Sequence, residues 1–302
     1  MKNAITNYEN TFFMGQTALS GIIGVDGSYS LSVKPINAIG AGYLKQVLAE
    51  IPSASVSVSR YLVNNDPVFQ LTGNGASNLA EPVDGGLRYN GKNFAFQNAY
   101  LKSYNISCSV GEIPQIQSEF DIFGNIGSGY NPSGSIASQG VFVPQVKNII
   151  VTCNNSSTNR VKNFSIGFDC PNVPVYVLRD TNAEYPIEVY NEYPIAVNGS
   201  FSLEIDDYQT KDVFDILNSD MVTNFSVAIS GTVLKTFVLT TFDGIELVTS
   251  DTNEKLITYK IEEDSIPIYT FSTNDAVITS EQINSSADDV LSVKVSYKSY
   301  LN

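Results

Sequence analysis

The chain of 302 residues contains no histidine. Without an imidazole there is no Ser-His-Asp hydrolysis, no histidine zinc site and no side chain that titrates near neutrality in its ordinary range. Tryptophan is also missing, and with it the ring that sugar-binding sites most often present. Basic residues are few, 17 against 31 acids, for a net charge of −14. A protein that grips nucleic acid must replace counterions with lysine and arginine, so this balance argues against a DNA-gripping surface. No apolar run approaches the roughly 18 residues of a membrane span, so no membrane insertion is expected. The first ten residues lack the apolar stretch of a signal peptide, and folding in a reducing cytoplasm is expected.

Only three cysteines occur, Cys108, Cys153 and Cys170, with no CxxC pair. Their neighbours alternate like strand residues, so they read as small buried hydrophobes. Asn-x-Ser triplets at Asn105, Asn163, Asn198 and Asn224 are chance matches in a chain this rich in both residues.

What the chain does have is alternation. Tyr29-Ser30-Leu31-Ser32-Val33 sets large residues on one side and serine on the other. Val56-Ser57-Val58-Ser59, Phe201-Ser202-Leu203-Glu204-Ile205, Phe225-Ser226-Val227-Ala228-Ile229 and Leu291-Ser292-Val293-Lys294-Val295 do the same. Period two with β-branched and aromatic residues predicts half-buried antiparallel strands. Asp26-Gly27, Asn90-Gly91, Asn198-Gly199 and Asp243-Gly244 are the expected turns. Two stretches have helical spacing: residues 41–50, with Tyr43, Leu44, Val47 and Leu48 on one face, and residues 210–218, with Val213, Phe214 and Leu217.

The two helical stretches sit in similar surroundings. Gly27-Ser28-Tyr29-Ser30-Leu31 resembles Gly199-Ser200-Phe201-Ser202-Leu203, 172 residues on, and each precedes a predicted helix and an alternating strand. A second echo, Pro67-Val68-Phe69-Gln70-Leu71 with Pro174-Val175-Tyr176-Val177-Leu178, has a different spacing. The expected fold is therefore mainly β, an antiparallel sandwich or barrel with one short helix in each half, duplicated in tandem. The halves are 1–123 and 141–302. Between them, 124–140 is rich in glycine and serine and uncharged, either a linker or an arm that orders on a neighbouring subunit. The second half is the acidic one, with 22 acids and 10 bases. Asp206-Asp207 and Glu262-Glu263-Asp264 concentrate that charge on a solvated turn, a docking surface or a channel wall.

A search for chemistry finds little. There is no phosphate-binding GxxxxGK[ST] and no calcium loop. Tyr185, Tyr190 and Tyr193 lie close together but read as strand-packing aromatics. No catalytic residue, cofactor or metal ligand is assigned, and an enzyme is not expected.

One stretch is more distinctive: Tyr100-Leu101-Lys102-Ser103-Tyr104-Asn105-Ile106-Ser107-Cys108-Ser109-Val110-Gly111-Glu112-Ile113-Pro114, followed by the alternating strand that ends at Gly124. It resembles the major tail tube proteins of tailed bacteriophages, in which a similar strand turns at Gly-x-x-Pro and returns. Gly15-Gln16-Thr17-Ala18-Leu19-Ser20-Gly21 and Asn65-Asp66-Pro67-Val68 are similar too. The resemblance covers about residues 12–125. It implies a β-sandwich or barrel with a flanking helix, and subunits that close into rings of three or six and stack into a tube. Viral DNA passes through that tube without tight binding. It further implies a place in the virion tail, assembly in the bacterial cytoplasm, and tape measure, tail terminator and baseplate proteins as partners, with or without a sheath. On that reading Gly124, Gly127, Gly129, Tyr130 and Pro132 belong to an inter-ring surface, and Asp206, Asp207, Glu262, Glu263 and Asp264 to an acidic lumen or outer wall. The alternative reading is a β-sandwich adhesin or virion decoration protein that binds host-surface glycans.

Overall fold

The computed structural model describes residues 11–36, 46–49, 51–70, 81–89, 92–127, 141–144, 146–153, 156–158, 161–177, 185–204, 223–239, 241–242, 245–246, 258–285 and 291–301. The chain is mainly β, as the alternation predicts. In the first half the strands are β1 (Thr11–Met14), β2 (Thr17–Ala18), β3 (Ile22–Ser30), β4 (Val33–Ile36), β5 (Gln46–Ala49), β6 (Ser53–Tyr61), β7 (Val83–Tyr89), β8 (Lys92–Ser109), β9 (Gln115–Ile122) and β10 (Ile126–Gly127). The second half continues with β11 (Ile149–Cys153), β12 (Ser156–Thr158), β13 (Val161–Asp169), β14 (Asn172–Val175), β15 (Glu188–Asn191) and β16 (Ile195–Glu204). It ends with β17 (Thr223–Leu239), β18 (Thr241–Phe242), β19 (Ile245–Glu246), β20 (Thr258–Asn284) and β21 (Ser292–Leu301). One α-helical turn, α1 (Pro67–Gln70), is present among the described residues.

Two strands turn corners and so create the layers. β8 pairs with β7 up to Ala99, then with β9 from Ala99 onward. At its bend Asn98 has φ +53°, a left-handed conformation that asparagine tolerates, and its N–H donates to Asp84 Oδ1 at 3.0 Å. β20 likewise pairs with β17 up to Ala276 and with β21 from Val277. The result is one wide antiparallel sheet in the order β3-β6-β9-β8-β13-β16-β21-β20, eight strands across. It is backed by the smaller layers β2-β1-β7-β8 and β12-β11-β17-β20. Phe120, Ile106, Ile166, Phe201 and Val295 from the wide sheet meet Phe12, Phe96, Val151, Phe225 and Val227 from the backing layers in one continuous core.

The two halves run through the same plan. The ladder β2-β1-β7-β8-β9-β6-β3 is matched, neighbour for neighbour, by β12-β11-β17-β20-β21-β16-β13. Irregularities recur at matching places: between Ile22 and Gly24 and between Val161 and Asn163, between Val83 and Gly85 and between Thr223 and Phe225, between Leu101 and Ser103 and between Ile278 and Ser280. The frame differs from the one read in the sequence. β3 corresponds to β13, and it is β6 that corresponds to β16, so the glycine echo at 27 and 199 joins two strands with different neighbours. The Pro67 echo also parts, since Pro67–Gln70 is helical while Asn172–Val175 is a strand.

Several other expectations change. Gln46–Ala49, inside the predicted helix 41–50, forms a strand against Val33–Ile36. Val47 and Leu48 suit either period, and pairing with a neighbouring strand decides. The predicted helix 210–218 lies outside the described residues. Asp26-Gly27 and Asn198-Gly199 are interior to β3 and β16 rather than turns. Gly199 is required there because the Tyr297 ring lies where its Cβ would stand. Asn90-Gly91 and Asp243-Gly244 also lie outside, although Tyr89 faces Lys92 and Phe242 faces Ile245 across them. The Gly111-to-Pro114 turn falls where it was expected, with Gly111 at φ +85° and Glu112 N–H donating to the Ser109 carbonyl at 3.0 Å.

Candidate functional site

The wide sheet has an apolar back and a polar front, and the front carries a groove. Strand register lines up its side chains in rows. One row runs Ser59, Gln117, Asn105, Gly167, Asn198, Lys298 across β6, β9, β8, β13, β16 and β21. The next runs Gln115, Ser107, Ser165, Ser200, Ser296, Ser280 from β9 to β20. Both rows follow from period two. Each strand that places valine, phenylalanine or isoleucine in the core must present its serines and asparagines together on the opposite side. The front is concave and encloses a groove of about 740 Å3, with Ser57, Glu119, Ser103, Asp169 and Thr279 also in its wall.

The electrostatics of this surface are muted. Lys102 donates to Glu119 Oε1 at 2.7 Å and lies 3.9 Å from Asp121 Oδ1. The hydrogen bond to Glu119 raises its pKa, with the nearby carboxylates adding to the effect against its partial burial. Lys162 stands 3.6 Å from Glu204, and the ammonium of Lys298 lies 5.3 Å from the ring centre of Tyr300. These cations are committed to local partners. The remaining side chains in the two rows are hydroxyls and amides, which offer weak, interchangeable hydrogen bonds and no charged group.

A second polar group is buried at the join of the two halves. Arg60 and Asp66 form an ion pair at 2.8 Å with both side chains 1% exposed. Tyr104 donates its hydroxyl to Asp66 Oδ2 at 2.7 Å, and Val68 N–H donates to Oδ1 at 3.0 Å. Burial pushes the phenols of Tyr104 and Tyr269 well above their usual range, and the charge on Asp66 pushes the same way. The group is sealed from solvent, so its chemistry is cohesion: it ties α1 to β6 and β8. Cys108 and Cys170 are buried free thiols, as expected. Burial pushes them up to about 11 and about 12, with Glu112 and Asp169 adding smaller contributions. The Cys153 side chain lies outside the described residues.

The candidate residues from sequence are scattered. Gly124 packs against the Gln97 carbonyl with no room for a Cβ. Gly127, at φ +133°, ends β10, which pairs with the first part of β8. The start of the 124–140 segment is thus stitched onto the first half. Gly129, Tyr130 and Pro132 lie outside the described residues, as do Asp206 and Asp207. Glu262, Glu263 and Asp264 lie on β20 opposite Lys235, Leu234 and Val233, in a two-stranded extension of β17 and β20 away from the groove. Tyr190 and Tyr193 are exposed rather than packed, because β14 and β15 form a small separate ladder, while Tyr185 donates to Asn125 Oδ1 at 2.5 Å. Sequence reasoning missed the groove residues Asn105, Gln117, Ser165 and Asn198. Their signal was the serine side of the alternating strands, which was used to locate strands and not to ask where those sides meet.

No group of metal-ligating side chains occurs among the described residues, and no described helix is long and apolar enough to cross a membrane. A comparison with protein-family models finds no match, and neither does a comparison with curated proteins.

Proposed function

We propose that the chain is a structural subunit that closes into rings and stacks into a tube, the major tail tube of a tailed bacteriophage, and that the polar front of the wide sheet lines the channel through which viral DNA passes. The observation that carries this reading is the front itself. It is eight strands wide, concave and rich in hydroxyl and amide side chains, and Lys102 and Lys162 are held by Glu119 and Glu204. A conduit for DNA needs a wall that wets and does not bind, and the negative charge of the chain as a whole adds repulsion. A binding pocket for a small ligand would instead combine an apolar lining with a few convergent polar groups.

The reading implies the partners of a tail: further copies of this chain, a tape measure protein inside the growing tube, and terminator and baseplate proteins at its ends. Negative-stain imaging of the purified protein tests it. Rings or tubes with an open centre are expected. A monodisperse monomer at high concentration that binds a glycan array would overturn it in favour of an adhesin.

A further inference from the structure

The bend in β8 has a second product. Asn98 turns the strand with its left-handed φ, and Phe123, just past the end of β9, donates its N–H to the Asn98 carbonyl at 3.1 Å. That bond holds Phe123 beside Tyr100, with ring centroids 5.7 Å apart and planes 59° apart. A stretch of the second half lies across this corner. Ile187 donates its N–H to the Val175 carbonyl at 2.9 Å, which sets Tyr185 and Pro186 just before the β14–β15 ladder that Glu188 opens. The Tyr185 ring is fixed at its hydroxyl, which donates to Asn125 Oδ1, and Asn125 Nδ2 in turn donates to Gln97 Oε1 at 3.3 Å. The corner and the stretch enclose a cavity of about 240 Å3, with Tyr100, Phe123, Tyr185, Pro186, Asn98 and Glu188 in its wall.

The composition of this wall selects the sign of a guest's charge. An aromatic face carries partial negative charge and attracts a cation held within about 6 Å of the ring centre. Three rings border one small space, and Glu188 brings the only formal charge; neither lysine nor arginine is in the wall among the described residues. An anion would meet repulsion there. A neutral apolar guest would strip water from the Glu188 carboxylate and return nothing for it. The cavity is also smaller than the roughly 300–1,000 Å3 of pockets that take drug-sized ligands, so its guest is small.

We propose that this cavity is a binding site for a small organic ammonium, seated against the rings of Tyr100, Phe123 and Tyr185 and paired with the Glu188 carboxylate. A quaternary nitrogen suits it best. Aromatic faces are poor substitutes for the water that N–H donors must give up, whereas a quaternary ammonium has no such donors to satisfy. The net charge of −14 draws cations toward the chain as a whole and raises their concentration at the mouth.

The site is assembled from both halves, Tyr100 and Phe123 from the first and Tyr185 and Glu188 from the second. A bound ammonium therefore links them and favours the folded chain over the unfolded one, in which no cage exists. None of these residues belongs to the two rows of the polar front, so the proposal stands or falls apart from the conduit reading.

The test compares choline with 3,3-dimethylbutan-1-ol, its neutral carbon isostere, each titrated into the full chain and followed by ligand NMR. Choline is expected to bind once per chain and about tenfold more tightly than the alcohol. Equal affinity for the two would make the cavity a plain apolar hole and overturn the proposal, as would no binding of choline at tens of millimolar. Glu188→Gln changes an exposed side chain and is expected to keep the circular dichroism of the parent. It should weaken choline about tenfold and leave the alcohol unchanged. Phe123→Leu keeps an apolar side chain and removes one ring face, and should weaken choline several-fold more than the alcohol. Unchanged choline affinity in either variant would place the cation elsewhere on this acidic chain and overturn the assignment.

Discussion

Tyr104 of β8 and Phe168 of β13 stack with ring centroids 5.2 Å apart and planes 15° apart, and this contact seals the second half of the chain onto the first. Both are buried at the internal junction. Phe168→Ala is expected to cost about 3–5 kcal/mol and Tyr104→Phe, which strands an acceptor of Asp66, about 1–3 kcal/mol. Urea denaturation followed by tyrosine fluorescence reads both. An alanine variant within 1 kcal/mol of the parent, an estimate set by the usual surface range, would mean the seam carries little of the stability.

Arg60 and Asp66 are a buried pair in the first half, and β16 places Leu203 where β6 places Arg60. Arg60→Leu alone leaves a carboxylate buried without its cation and should cost about 3–5 kcal/mol. Adding Asp66→Asn removes that charge and should restore most of the loss. If the double variant is no better than the single, the Arg60 stem rather than its charge is what matters.

Alkaline pH provides a third check. The folded-state pKa values of Tyr104 and Tyr269 lie above the unfolded value, so the folded chain holds these protons more tightly. Their contribution is complete below about pH 10, the unfolded phenol value, and is lost as pH rises from there toward the folded values. Stability measured from about pH 8 to pH 11 should fall steeply above the unfolded value. Tyr104→Phe should start lower and fall less.

Gly199 sits under the Tyr297 ring, which also packs against Phe225 with centroids 4.3 Å apart. Gly199→Ala forces that ring aside and should cost about 1–3 kcal/mol in a thermal melt. Gly15, with open space around the Cβ position, is the contrasting site, where only its φ of +56° penalises a side chain.

The polar front is testable by making it sticky. Asn105→Lys, Ser165→Lys and Ser200→Lys together place three uncommitted cations in adjacent strands of the groove. Assembled variant tubes should retain duplex DNA at low salt and release it with a slope of about −0.9 per contacted phosphate, while parent tubes retain none. Parent tubes that hold DNA equally well would remove the case for a non-binding wall.

Strand positions were legible because burying one side of a strand forces period two on its sequence; β6, β16, β17 and β21 announce themselves that way. The 41–50 stretch misled because a short apolar cluster such as Val47-Leu48 satisfies a helix face and a strand equally well. The echo at Gly27 and Gly199 was legible, but it joins strands that differ in their neighbours. Serine-valine alternation makes any two strands look alike, whereas correspondence is set by hydrogen-bonded neighbours, which a linear pattern does not contain. The groove was hidden for the same reason. Asn105 and Asn198 are 93 residues apart, and only the intervening Gly167 on β13 brings them into one row. The pair Arg60–Asp66 carried no sequence signal at all, since a lone arginine in a strand ordinarily points to water.

The extension of β17 and β20 has one more consequence. In the first half Tyr89 and Lys92 close a tight hairpin, while at the matching place in the second half, beyond Ile229 and Tyr269, the ladder runs on to Leu239 and Thr258. One half is plain and the other carries a fin. An assembly that alternates the halves around an axis then has fins on every other spoke, so image averaging that imposes sixfold rotation would erase them and threefold rotation would keep them sharp.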